Sequence, residues 1–241
     1  MHRNKTVLFL MVILAIALVA GCANEESAVE GPSSEETTNI EAAAIVNGVA
    51  IPMEDYQSAL DQTFAAYEQN GITFDTEETK DLEKEITDQV INSLVDNEIL
   101  LQEARNEGFD LSEEQLESEF ETVKGQFPTQ EEFEMALGDA GFTEDDLRDL
   151  IREENIRNDY LMSLVKDLDV TREEITAYYE SASDAAKDAH EAEASEEPFT
   201  YPSLEEVEGD IENSLLQEKQ QGVIQGILEE LRDGADIEIL I

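Results

Sequence analysis

Ile45-Val46-Asn47-Gly48-Val49-Ala50-Ile51 is the stretch that decides how this chain closes. Asn-Gly between β-branched residues is the strongest short-range signal for a tight hairpin, because both turn residues tolerate positive φ. The far end, Ile237-Glu238-Ile239-Leu240-Ile241, also has strand character, and the hairpin is its obvious partner. The two are expected to pair and so to join the ends of one folded unit.

Most of what lies between them reads as helix. Pro52 suits a first helical turn, and Tyr56, Leu60, Phe64 and Tyr67 recur at spacings of three and four until Asn70-Gly71. A longer helix carries Leu82, Ile86, Val90, Leu94, Ile99 and Leu101 and is closed by Gly108, with Phe109 placed to pack back on its last turn. Ser112-Glu113-Glu114-Gln115 is a capping box that opens a further helix, and Thr129-Gln130-Glu131-Glu132, Thr143-Glu144-Asp145-Asp146 and Thr171-Arg172-Glu173-Glu174 each open another. After Ser203 a last long helix runs through Val207, Ile211, Leu215, Ile224 and Leu231 to Gly234. Its Gly222-Val223-Ile224-Gln225-Gly226 has the small-residue spacing of a close helix contact. The fold class is therefore mostly α, a multi-helix domain with a small β element joining the N-terminal hairpin to the C-terminal strand.

The start of the chain has a different character. A basic opening, His2-Arg3-Asn4-Lys5, precedes the apolar stretch Val7 to Ala20, which is too short for a comfortable membrane span and fits a secretory signal over residues 1–21. Val19-Ala20-Gly21-Cys22 resembles the lipobox of bacterial lipoproteins, in which the signal is cut before a cysteine that receives a diacylglyceryl group. Cys22 is the one cysteine in the sequence, which leaves no intrachain disulfide and no cysteine cluster for a metal. Several acyl chains on Cys22 would anchor the protein durably outside the cytoplasmic membrane. Residues 22–42 then read as the lipidated cysteine and a flexible acidic tether, residues 43–180 as the helical domain, 181–202 as an acidic Ala/Ser linker, and 203–241 as the returning helix and strand.

With 14 basic against 60 acidic residues the formal charge is −46. Such a surface repels nucleic acid and anionic headgroups, so no nucleic-acid partner is expected. The charge reads as adaptation to a saline or alkaline exterior, with a cation-binding surface as the alternative. At 41% apolar residues the chain still has material for a core.

Catalytic signatures are weak. His190 would be the sole histidine after loss of His2 with the signal, and nothing nearby in sequence would orient it, so a solvated linker residue is the simpler reading. Paired carboxylates are too abundant to single out an acid–base pair, no phosphate loop is present, and the acidic clusters lack the order of a calcium loop. No cofactor, no metal and no enzymatic activity are expected. Arg148, Arg152 and Arg157 gather much of the scarce positive charge, and pairing with surrounding carboxylates explains them.

The order of Ile45-Val46-Asn47-Gly48, then Leu94-Val95-Asp96-Asn97-Glu98-Ile99-Leu100-Leu101-Gln102-Glu103-Ala104, then Gly108-Phe109-Asp110-Leu111-Ser112-Glu113-Glu114 resembles the N-terminal domain of SurA/PrsA-type extracytoplasmic folding factors. The resemblance covers residues 43 to about 180, and residues 203–241 are similar to the segment that returns to complete that domain. It implies a chaperone fold that holds unfolded or newly exported polypeptides in a groove between helices. In that family a parvulin-type prolyl isomerase domain usually sits between the two parts; here residues 181–202 alone occupy the gap, well short of the roughly 50 residues a domain needs.

The reading is thus a membrane-anchored holdase without isomerase activity, with a dedicated envelope adaptor or a residual isomerase as alternatives. Candidate client contacts, chosen near helix ends and loops, are Phe64, Phe74, Phe120, Phe127, Phe133 and Met135, for each of which a place in the core is the simpler reading. The sequence pattern fixes no oligomeric state.

Overall fold

In the computed structural model, residues 41–74, 79–192 and 199–241 are described. The signal segment, Cys22 and most of the tether lie outside those residues. The Asn47-Gly48 turn adopts the positive φ values of 51° and 85° that its sequence allows. It joins β1 (Ala42–Val46) to β2 (Val49–Pro52). On the other side of β1 lies β3 (Ile237–Ile239), antiparallel, with Val46 opposite Ile237 and Ala44 opposite Ile239. The sheet order β2-β1-β3 joins the two ends of the folded part as the sequence led one to expect.

Asn47 does more than turn the chain. Its main-chain N–H donates to the Asp236 carbonyl at 2.8 Å, its Oδ1 accepts the Asp236 N–H at 2.8 Å, and its Nδ2 donates to Gln102 Oε1 at 2.9 Å. Gln102 Nε2 in turn donates to the Val46 carbonyl at 3.1 Å. One side chain thus ties the hairpin, the C-terminal strand and the second helix together, at donors and acceptors the turn would otherwise leave to water.

Seven helices follow among the described residues: α1 (Met53–Gln69), α2 (Lys80–Asn106), α3 (Glu113–Lys124), α4 (Gln130–Asp139), α5 (Glu144–Val165), α6 (Arg172–Ala192) and α7 (Leu204–Gly234). The caps form where the sequence placed them. Ser112 and Gln115, and Thr143 and Asp146, make reciprocal capping boxes, and Thr129 Oγ1 accepts the Glu132 N–H at 3.2 Å. α2 ends at Gly108, φ 86°, and the Phe109 N–H returns to the Ala104 carbonyl at 2.9 Å.

α2 is the spine, and its broad apolar stripe serves two cores. Ile86, Val90, Ile91 and Val95 pack under the sheet with Val46, Ile51 and Tyr56 of the hairpin and α1. Leu101 and Ala104 face a second cluster, the head, with Leu116, Phe120, Phe133, Leu147, Ile151 and Tyr160 from α3, α4 and α5. Leu231 of α7 touches both clusters. Arg232 pins α7 to α2 by donating to Asp96 Oδ1 and, at 2.8 Å, to Asn92 Oδ1.

Two expectations change. Residues 181–192, expected in the linker, continue α6 without a break. Their alanine, serine and acid resemble a tether in composition, but no glycine or proline interrupts the run before Pro198, and alanine is the best helix former. The Gly222/Gly226 pair does not mark a close helix contact: a Cβ added at either would meet nothing within 4 Å. Both glycines lie on the open side of α7, which packs against α2, α5 and α6; α6 and α7 together are called the arm.

Candidate functional site

The six aromatic and methionine candidates separate into two places. Phe64 and Phe74 are half-buried against the hairpin core, with ring centroids 4.6 Å apart and Tyr67 edge-on to Phe74 at 5.8 Å. Phe120, Phe127 and Phe133 meet in the head, Phe133 standing edge-on to Phe120 at 5.8 Å and to Phe127 at 5.4 Å. Phe120 and Phe133 are each 1% exposed, so these two are core residues and present nothing to a partner in this conformation. The reason is helical phase: each sits on the inward stripe of its helix, and proximity to a helix end did not bring it to the surface. Met135, on the opposite face of α4, is 59% exposed.

Phe120 is also covered by cations. The Arg148 guanidinium lies 3.7 Å from its ring centroid, and Lys124 Nζ lies 5.7 Å from that ring and 5.5 Å from Phe133. Arg148 is held there by Glu117 and Glu144 at 3.5 and 3.4 Å. Arg152 pairs with Glu113 at 2.7 Å across to α3, and Arg157 with Glu154 at 2.6 Å. The cations concentrated on α5 are therefore engaged with carboxylates, as their surroundings in the sequence suggested.

Apolar groups outside the six candidates lie at the surface: Val49, Phe142, Leu150, Met162, Tyr178, Ile239, Leu240 and Ile241 are each at least 38% exposed. Their signal was phase. Leu150 directly precedes the buried Ile151, and Met162 follows Leu161, so each falls outside the inward stripe of α5.

The arm carries an aromatic row. Tyr179 and Tyr201 are 5.6 Å apart, Tyr201 stacks on Phe199 at 6.2 Å, and Phe199 meets His190 at 5.6 Å. The Tyr179 hydroxyl donates to the Pro202 carbonyl at 2.8 Å. His190, read from sequence as a solvated linker residue, is instead half-buried on α6 against Phe199. Deeper along the arm, Lys219 Nζ donates to the Asp169 carbonyl at 2.8 Å and lies 2.7 Å from the Glu174 carboxylate. That ammonium, with the Thr171 N–H and hydroxyl, holds Glu174 down to about 2.

Among the described residues no group of three or more His, Cys, Asp or Glu side chains could hold a metal ion, and no helix is long and apolar enough to cross a membrane. What this surface offers a partner is apolar contact area and aromatic faces set among carboxylates.

A family model for the SurA-like N-terminal domain matches residues 1–161. The foldase protein PrsA of Clostridium acetobutylicum is 28% identical over 102 residues, covering 41% of this chain and 31% of that protein. The foldase protein PrsA of Caldanaerobacter subterraneus subsp. tengcongensis is 25% identical over 188 residues, covering 74% of this chain and 52% of that protein. The chain thus spans about a third of one of these curated relatives and about half of the other. With hairpin, capped helices and returning strand in the expected order, and a family match over two thirds of its length, the chain belongs to the SurA-like N-terminal domain family.

Proposed function

We propose that this protein is a lipid-anchored extracytoplasmic chaperone that holds unfolded or newly exported polypeptides and does not isomerise prolyl bonds. The observation that carries the reading is its membership of the SurA-like N-terminal domain family, whose matched relatives bear the name foldase. Met135, Phe142, Leu150, Met162 and Tyr178 supply exposed apolar side chains for weak, adaptable contacts. A net charge of −46 favours solubility of a complex that covers such groups.

Two further points support the finer parts of the proposal. α6 leads to α7 through residues 193–203 alone, too short a run for an isomerase domain at that place in the chain. Cys22, at the end of a lipobox-like sequence, is the residue proposed to carry the lipid.

The test is suppression of aggregation of several unrelated, chemically unfolded secreted proteins by the full chain in high salt, alongside Cys22→Ser in cells. Weak protection of all of them, with release of the Cys22→Ser protein from the membrane fraction, is the expected result. Binding to a single folded envelope protein with no protection of unfolded chains would replace the holdase by a dedicated adaptor.

A further inference from the structure

The two edges of the small sheet are unequal. β2 is four residues long and ends at Pro52, which has no N–H to offer, and α1 begins immediately after it. β3, three residues long with Glu238 at its centre, has neither a proline nor a helix starting at its end. The stretch Ile237-Glu238-Ile239-Leu240-Ile241 contains no proline, glycine or lysine, and Ile239, Leu240 and Ile241 are 45, 46 and 49% exposed. Edge strands of this composition are the ones that recruit another chain.

The register says which main-chain groups are available. The Leu240 N–H donates to the Ala43 carbonyl at 2.9 Å and the Asp236 carbonyl accepts from Asn47, so Asp236, Glu238 and Leu240 face β1. In an antiparallel ladder the alternate residues turn their N–H and C=O the other way. Ile237 and Ile239 therefore point theirs outward, and no described strand lies on that side of β3.

Only an extended chain can complete such an edge. A second copy is disfavoured: two chains of −46 would be brought together, and antiparallel self-pairing centred on β3 would set Glu238 against its own counterpart. We infer that β3 binds an extended segment of a non-native polypeptide by strand addition, favouring apolar residues with a Lys or Arg beside Glu238. This deepens the proposed client-holding reading and rests on it; main-chain pairing would supply affinity without regard to client sequence, and the alternate side chains a bias.

The probe is a fluorescent peptide of alternating valine and lysine, its counterpart N-methylated at every residue so that neither edge can donate, and a valine–glutamate version, each titrated against the full chain. Ile239→Pro removes one outward N–H and leaves the bonds to β1 intact; Glu238→Lys leaves the backbone unchanged and reverses the local charge. Ile239→Pro should weaken binding roughly threefold to tenfold, the scale of one lost hydrogen bond, and N-methylation, which removes the donors to both outward carbonyls, should weaken it by more. Glu238→Lys should shift preference toward the glutamate peptide, a readout that survives even if Ile239→Pro perturbs the fold. If the chain protects unfolded proteins but binds methylated and unmethylated peptides alike, the strand-addition inference fails and the holdase reading stands. If it neither protects nor binds, both fail. A dimer in sedimentation that Ile239→Pro converts to monomer would assign the edge to a second copy and overturn the inference.

Discussion

In the head, Phe120, Phe133 and Ile151 are each 1% exposed and interlock with nine other buried side chains, whereas the 31-residue α7 buries only Ile211 and α6 only Ile175. Both regions are made of amphipathic helices rich in acid. The difference lies in how many surfaces each helix must satisfy. α2, α3 and α5 are packed on several sides, so their apolar stripes close completely. α6 packs chiefly on α7, and α7, although it rests on α2 and α5, leaves Leu215, Leu216, Val223 and Ile224 only partly covered. α7 is docked by Leu228 and Leu231 on the cores and by Arg232 to Asp96 and Asn92, while Lys219 to Glu174 and Asp169 ties α6 and the segment before it to α7.

The largest effect should come from the head. Phe120→Ala removes a ring enclosed by Phe133 and Arg148 and should cost about 3–5 kcal/mol in urea unfolding. Ile211→Ala should cost about 2 kcal/mol, at the low end for a buried isoleucine, because its half-open surroundings can relax or hydrate. Its effect should show in amide exchange of α6 and α7 before that of α3 and α5. Equal costs for the two, with uniform exchange, would remove the distinction between head and arm.

Gly226→Ala sharpens the contrast in the other direction. A glycine inside a helix with open space at its Cβ position is a net weakness, so alanine should stabilise by roughly 0.5–1 kcal/mol in thermal unfolding. Destabilisation would mean that a close contact at α7 exists after all.

The smallest effect concerns pH. Glu174 is held at about 2, below its ordinary 4.5, first by Lys219 and then by Thr171. A lowered folded-state value means that its contribution is fully present above about pH 4.5 and is lost as pH falls through about 2. Amide protection of α6 and α7 should decline over that window, and Lys219→Met should remove most of the decline. Because the pair is substantially exposed, salt should blunt it as well.

Much of this fold was legible because local rules and tertiary structure agree in it. Asn47-Gly48 demanded a turn, Ser112, Thr129 and Thr143 announced their helices, and Ile237–Ile239 had one strand partner to find. Helix phase around single residues was harder to read. Phe120 and Met135 are both apolar residues near helix ends, yet one is sealed under Arg148 and the other faces solvent, a difference set by which helix covers which face. The helical state of residues 181–192 was hidden by composition that suits a tether and a helix equally. The links from Asn47 to Gln102 and to Asp236 span most of the chain and leave no local pattern.

On the function proposed above, this chain holds unfolded proteins and leaves their prolyl bonds alone. The most direct test follows aggregation and prolyl isomerisation together for a chemically unfolded, proline-containing secreted protein, with the full chain added in high salt. Suppressed aggregation at an unchanged isomerisation rate is the expected result. Accelerated isomerisation, or no protection by a sample whose helical signal and cooperative unfolding prove it folded, would contradict it.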